Sequence, residues 1–420
     1  MVDKNNWNKV IYMRIATILF TYARPKHTKR TLEALSKNTL QTTKLYIFQD
    51  GMKTNTNADD WNSVSNIIKN VSWSNTEVYI SNVNRGLAES IVWGINKVLE
   101  ENDAVIVLED DCVTHPQFME YMLECLEKYE YEEKVFSVNG FSWSVDVEAN
   151  GYDAFFMGRT SSWGWATWKD RWQSYEENYL LVKQLKKDKY KKEQLEIWGE
   201  DLESYLIGNI SGKCSSWAVF WALQCIKQGG VCPTPYESFI TNIGFDGSGE
   251  HSGNEELKIK VRAEDNLGEL KLPKCVEFPK DYKSVFEDVF HYTFPEVKLR
   301  TYNQILLKWL KLRNEGKNII HFFQNKHIQK VSIWGKGDIC KSLIAELKDE
   351  IDICSIVESK PDTKLYEGIR ITSVEEIPDE VQLIIVIPIY DYNRIRQKAN
   401  EKIELIGIDK ILNDIEMEKF

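Results

Sequence analysis

The stretch Ala104-Val105-Ile106-Val107-Leu108 runs without a polar residue straight into Glu109-Asp110-Asp111. A short apolar run of this kind reads as a strand buried on both faces, and open α/β sheets present their ligands at the carboxyl ends of such strands. Adjacent carboxylates there raise one another's pKa and resist ionising together unless positive charge is brought to them. A hard divalent cation bridging to a phosphate would supply that charge. The competing reading is a solvated acidic turn after an ordinary core strand, and the rest of the chain has to decide between the two.

Residues 15–22, 44–48, 77–80 and 104–108 read as strands, alternating with helices over 28–37, 61–70 and 87–100. The third helix carries Leu87, Ile91, Ile95, Val98 and Leu99 at helical spacing. Strands alternating with helices of this length imply an α/β fold with a mostly parallel, doubly wound sheet. A helix over 117–129 and a strand over 135–138 follow, and the chain then becomes irregular and aromatic.

At 420 residues two domains are the default expectation, and the periodicity divides them at 1–255 and 330–420 with a helical connector over 256–329. Within the connector, residues 302–313 form an amphipathic helix with Ile305, Leu306, Trp309, Leu310 and Leu312 beside Lys308, Lys311 and Arg313. It reads either as a bridging helix packed on a domain or as a helix lying on a membrane surface. The last segment is a small Rossmann-like α/β domain whose first turn is Gly335-Lys336-Gly337-Asp338-Ile339-Cys340, with Glu358 after its second strand. Cys340 stands where a third glycine would complete the dinucleotide fingerprint, which leaves nucleotide binding and a structural or partner-binding module as equal alternatives.

A formal net charge of -11 argues against a nucleic-acid partner. The basic run Lys183, Lys186, Lys187, Lys189, Lys191 and Lys192 reads as a solvated helix face, with attraction to anionic lipid or a charged acceptor as the alternative. Eight cysteines without a CxxC pair suggest reduced thiols in a reducing compartment and no zinc site. No window approaches the roughly 18 apolar residues of a membrane span. The expectation is a cytoplasmic protein, with peripheral contact at the inner face of the membrane as its extension.

Several polar motifs fall at strand ends, which converge on one crevice in a parallel sheet. They are Thr21-Tyr22-Ala23-Arg24-Pro25, Gln49-Asp50-Gly51, Asn84-Arg85-Gly86-Leu87 and Leu108-Glu109-Asp110-Asp111, followed by Ser162-Trp163-Gly164-Trp165 and the stretch from Asn242 through Gly244, Phe245 and Asp246 to His251. In this order they resemble bacterial glycosyltransferases of the GT-A fold, related to glycosyltransferase family two and to N-acetylglucosaminyltransferase I, over about residues 10–255. The resemblance implies that Asp111 ligates Mn²⁺ or Mg²⁺ while Asp110 faces the donor. It implies that Asp50 meets the nucleobase, that Thr21 and Arg24 line that pocket, and that Arg85 beside Gly86 approaches the ribose or phosphates. His251 would close over the diphosphate or the metal, or is an ordinary surface histidine.

The reaction so implied moves a sugar from a nucleoside-diphosphate sugar, a UDP-sugar first, to a glycan or lipid-linked acceptor in surface-polysaccharide synthesis. An inverting transfer also needs a carboxylate base near the acceptor hydroxyl. The resemblance implies that this base lies on an acceptor-side segment corresponding to Ser215-Ser216-Trp217-Ala218, which holds no carboxylate here, so Asp246 and Asp170 are the candidates. Trp163 and Trp165, on either side of Gly164 in an expected loop, are the candidate acceptor platform, because indole faces stack on sugar rings. Trp168 and Trp172, four residues apart, read as one face of a helix in the core. A nucleotidyltransferase and a noncatalytic sugar-nucleotide binding protein are the alternatives. Against the first, Tyr22-Ala23-Arg24-Pro25 contains no glycine for a phosphate loop.

Overall fold

The computed structural model describes residues 13–38, 43–143, 145, 147–148, 150–246, 260–286, 289–290, 295–359, 361, 363–392, 395–396, 399 and 403–417. The chain divides into two compact units, Met1–Tyr292 and Thr293–Phe420.

The first unit begins β1 (Ile15–Thr21), α1 (Pro25–Leu35), β2 (Lys44–Gln49), α2 (Ala58–Lys69), β3 (Thr76–Ile80), α3 (Leu87–Leu99), β4 (Ala104–Glu109), β5 (Cys112–Thr114) and α4 (Phe118–Lys128). It continues with β6 (Val138–Asn139), β7 (Ala154–Met157), β8 (Trp165–Trp168), α5 (Lys169–Trp172), α6 (Leu181–Leu185), α7 (Lys189–Trp198), α8 (Leu202–Ile210), α9 (Ala218–Gln228), β9 (Cys232–Pro235) and β10 (Ile240–Asn242). The main sheet has the order β3-β2-β1-β4-β8-β6, parallel from β3 to β4, with β8 reversed against both neighbours. β1 is buried along its whole length because it feeds both layers. Ile15 and Leu19 pack with Leu32, Leu35, Val64 and Ile68 of α1 and α2, while Ala16, Ile18 and Phe20 pack with Ile91, Ile95 and Val98 of α3. α1 starts three residues earlier than its apolar periodicity suggests, since Pro25 carries a φ ready for the first helical turn and needs no partner for a missing N–H.

The reversed strand corrects two expectations. Trp165 pairs with Val107 and Trp168 with Ala104, so β8 runs from the carboxyl end of β4 back to its amino end. Trp165 lies inside this strand, fully buried against Trp172, Trp217 and Trp221, and not in a loop. Trp168 shares the strand but points into the opposite layer, so it and Trp172 are both core residues without sharing a helix face. The loop before β8 is where Ser162, Trp163 and Gly164 sit, at the carboxylate end. Gly164 has φ +59°, and a Cβ there would come within 2.5 Å of Ile240.

The expected connector does not stand apart. Leu270 and Leu272 join the core under β4, and Phe278, Phe286 and Phe290 close over Trp198 in the first unit. The helix Pro295–Asn314 belongs to the second unit, where Ile305, Trp309 and Leu312 are buried with Leu343, Ile411 and Leu412. Leu306 and Leu310 are exposed, because they lie about 60° and 100° around the helix from the edge of that buried arc. The second unit's sheet is β11 (Lys330–Trp334), β12 (Asp352–Val357), β13 (Leu365–Tyr366), β14 (Ile369–Thr372), β15 (Leu383–Val386) and β16 (Glu404–Gly407) in the order β13-β14-β12-β11-β15-β16. Its pairs are parallel except β13 with β14. No helix among the described residues is long and apolar enough to cross a membrane.

Candidate active site

The carboxyl ends of β1, β2, β3 and β4 open into a cavity of about 790 Å³. Its floor is the acidic tip of β4. Asp110 is 3% exposed, and the Arg24 guanidinium donates to its Oδ1 and, at 3.0 Å, to Asp111 Oδ2. The second Asp110 oxygen is buried without a hydrogen-bond partner among the described residues. The Glu109 side chain is partly buried and makes no hydrogen bond among the described residues. Burial raises the pKa of Asp110, and Arg24 opposes that rise. Burial, and next the charge of Asp111, pushes Glu109 up to about 8. Burial alone would lower the pKa of Arg24, but Asp110 and Asp111 more than reverse this and hold it firmly charged. One guanidinium therefore pairs with both aspartates and, among the described residues, leaves Glu109 without a bonded cation, so the tip is short of positive charge.

The β2 and β3 ends form one interlocked wall. The Asp50 carboxylate accepts from the backbone N–H of Gly51 at 2.9 Å, Arg85 at 3.0 Å and Gly86 at 2.9 Å, and from Asn84 Nδ2 at 2.9 Å. It thus shapes the loop that enters α3, whose first residue is preceded by Gly86 at φ +80°. Gly51 is required by contact, since a Cβ there would lie 2.3 Å from the Val83 carbonyl carbon. Arg85 donates to Ser81 Oγ at 2.6 Å and lies over the Trp93 ring at 4.6 Å, which keeps its charge at the cavity wall. Thr21 donates to the Phe48 carbonyl at 3.1 Å and faces the cavity from β1.

A strand more than a hundred residues downstream covers the floor. β10 pairs antiparallel with β5, and Ile243 N–H donates to the Asp111 carbonyl at 2.9 Å. Gly244 then passes so close that a Cβ would lie 2.3 Å from Asp111 Oδ2. His27, in the first turn of α1, approaches the Ile243 carbonyl at 3.2 Å and Asp246 Oδ2 at 3.2 Å, tying this cover to the helix that follows Arg24. Gly244→Ala is expected to displace the Asp111 carboxylate and lower turnover about 10²-fold, with the melting temperature little changed. Steady-state rates beside a thermal melt check this, and an active Gly244→Ala enzyme would remove the link between this backbone and the floor.

Of the residues singled out in the sequence, Thr21, Arg24, Asp50, Arg85, Gly86, Asp110, Asp111 and Trp163 line the cavity. Trp163 packs edge-on against Phe141 and Phe245. Trp165 does not line it, being part of the core beneath. Asp170 sits on α5, beyond the amino end of β4, and pairs with Arg171 at 2.7 Å; β8 carries it to the far edge of the sheet from Asp111. Asp246 follows the lining residue Phe245, half-exposed and held by His27. His251 lies outside the described residues. The sequence reading passed over His27, Tyr79 and Trp93; only the position of His27 two residues after Pro25 could have suggested it.

The glycine turn of the second unit is filled by its own side chains. Glu358 accepts from the Lys336 N–H at 3.0 Å, and Tyr366 Oη lies 2.9 Å from the Gly337 nitrogen and 3.1 Å from its carbonyl oxygen. Pro388 packs on Gly335 so that a Cβ there would meet it at 2.8 Å. These contacts take the backbone groups a diphosphate would use, which favours the structural or partner-binding alternative for this unit.

The sequence model described as glycosyl transferase family 2 matches residues 17–185, which span β1 to α6 and hold every cavity motif except the lining segment 215–218 and the β10 cover. This region is a glycosyl transferase family 2 domain. The acidic strand tip, the Arg24 pair and Trp163 all belong to it. No curated protein matches the chain. Among solved structures, residues 1–349 of S. aureus TarS align at 12% identity with a TM-score of 0.34, covering 54% of this chain and 59% of that one, so the chain spans about three-fifths of that TarS segment. The same protein in complex with UDP aligns equally. A mannosyltransferase, PcManGT from Pyrobaculum calidifontis in complex with GDP-Man and Mn²⁺, aligns at 9% identity with a TM-score of 0.31, covering 51% and 69%.

Proposed function

We propose that the glycosyl transferase family 2 domain transfers a sugar, with inversion, from a nucleoside-diphosphate sugar to a glycan or lipid-linked acceptor, and that a UDP-sugar is the donor. The observation that carries this reading is the acidic tip of β4 on the floor of a cavity whose walls present Arg24 and Arg85. A nucleobase and ribose fit the wall built on Thr21, Asp50 and Arg85, and the diphosphate is drawn toward the cationic groups beside the floor. Trp163, half-buried and edge-packed on Phe245, offers the remaining indole surface to the acceptor ring.

The floor also fits a divalent cation. Among the described residues Asp110 keeps one buried oxygen unpartnered, and Asp110 and Asp111 share one guanidinium. Among the described residues no group of three or more His, Cys, Asp or Glu side chains converges as a protein-only metal cage. Mn²⁺ or Mg²⁺ held by one or two carboxylates and completed by substrate phosphates needs no such cage. Asp111, with Asp110 behind it, would hold the ion, which would neutralise charge developing on the departing diphosphate. Asp110 is 3% exposed, and Gly244 packs closely on the Asp111 carboxylate.

For the acceptor base we propose Asp246, which follows Phe245 at the cavity rim and is oriented by His27. Release of nucleoside diphosphate from UDP-, GDP-, dTDP- and CMP-sugars, with Mn²⁺ or with chelator, tests the reading. One donor should be hydrolysed slowly in a metal-dependent way, and Asp246→Asn should retain donor binding while transfer to an acceptor falls at least about 10²-fold. Silence across all four donors, without a donor-induced thermal shift, would favour a noncatalytic sugar-nucleotide binding protein.

A further inference from the structure

The geometry points to Arg24 as a built-in counter-cation that closes the divalent-cation site until a diphosphate arrives, which makes metal binding conditional on the nucleotide. This rests on the reading of the β4 tip as the donor and metal site. Arg24 sits just before Pro25, the first residue of α1, and lines the cavity with a side chain that is 18% exposed. It donates to both Asp110 and Asp111, the two carboxylates a cation would use. It reaches Asp111 Oδ2 at 3.0 Å, which is the oxygen that a Cβ on Gly244 would meet at 2.3 Å. A divalent ion and the guanidinium cannot both hold that oxygen without facing each other as like charges at close range.

A planar guanidinium recognises phosphate as readily as carboxylate. When a diphosphate is present, Arg24 has somewhere to turn: it releases Asp110 and Asp111 and donates to the phosphate oxygens. Without a diphosphate its departure would leave a buried cation unpaired, so the carboxylates stay occupied and a bare metal ion competes poorly. By linkage, the nucleotide then tightens the metal and the metal tightens the nucleotide by one common factor. Arg24 thus sets the order in which the site fills and, once turned, binds the diphosphate itself.

Titration of free Mn²⁺ by its electron paramagnetic resonance signal, with and without UDP, separates this from a plain ion pair. Wild type should bind Mn²⁺ weakly alone and at least about tenfold more tightly with UDP. Arg24→Gln, and independently Arg24→Leu, should bind Mn²⁺ alone at least about tenfold more tightly than wild type does, with the UDP effect shrinking toward unity. Equal or weaker binding of Mn²⁺ alone by both variants overturns the proposal. Loss of the folded state in both would overturn it too, since a cation the fold requires at the carboxylates is not free to leave them. Asp111→Asn separates the layers. If it abolishes Mn²⁺ binding while the Arg24 variants match wild type, the metal site stands and the Arg24 role fails; if it binds Mn²⁺ as wild type does, the metal assignment itself fails.

Discussion

Asp111→Asn should lower metal-dependent turnover by about 10³-fold or more, equivalent to some 4 kcal/mol of transition-state stabilisation, while leaving the fold intact. The substitution is isosteric, so Gly244 still packs against the side chain and Arg24 keeps Asp110 as its partner. What it removes is the negative charge at the point where the cavity floor, the β10 cover and Arg24 meet. Two alternatives predict otherwise. If the triplet were a solvated acidic turn, the substitution would be nearly silent. If it were a structural ion-pair cluster, the loss would appear in the melting temperature and not in the rate. Rates for Asp111→Asn and Asp110→Asn beside their urea midpoints distinguish these cases, and turnover within a factor of ten of wild type would sink the metal assignment.

The second large effect lies away from the chemistry. Arg159 follows β7 and forms a two-pronged pair with Asp201, at 2.9 and 3.0 Å, ahead of α8. It also donates to the Trp198 carbonyl at 2.9 Å and rests on the Phe290 ring at 4.9 Å. Side-chain exposures of 12% and 9% place the pair inside the packing of β7, α7 and α8. Burial raises the pKa of Asp201 and Arg159 opposes that rise, so removing the cation strands a buried carboxylate. Arg159→Met should cost about 3–5 kcal/mol in a urea titration, and Arg159→Met combined with Asp201→Leu should recover at least half of that. The segment this pair anchors is the one leading through Ser161 to Trp163, and Asn139 holds it from the other side through the Ser161 N–H at 2.7 Å. Loss of acceptor-side activity should therefore accompany the instability. A single variant costing less than about 1 kcal/mol would show that the pair carries no net weight.

The parallel half of the sheet was legible because its signal is local. Apolar runs bounded by turn residues located β1 to β4, and the helices between them carried a single apolar stripe. The carboxylates were legible for the same reason: they terminate a strand that has no solvent-facing side. The parts that escaped depend on pairings between distant segments. Four tryptophans within ten residues look alike in the sequence, but β8 sends Trp165 and Trp168 to opposite layers and leaves only Trp163 at the cavity. Asp170 was a reasonable carboxylate until the antiparallel direction of β8 carried it to the wrong edge. Asp50 and the Asn84-Arg85-Gly86 loop were separate motifs in the sequence, and the structure makes the first the clamp of the second. Gly244 belongs to the floor only through the pairing of β10 with β5. In the second unit the two glycines were visible, whereas Tyr366 and Pro388, which fill their turn, come from strands and loops further along the chain.

The most direct measurement is a crystal structure of the full chain soaked with UDP and Mn²⁺, with anomalous scattering to locate the ion. One manganese peak in coordination range of Asp111, a diphosphate on the ion, the base beside Asp50 and Arg24 turned from Asp111 toward phosphate is the expected result. Manganese or UDP bound elsewhere, with Arg24 still paired to Asp110 and Asp111 and the β4 cavity vacant, would contradict it.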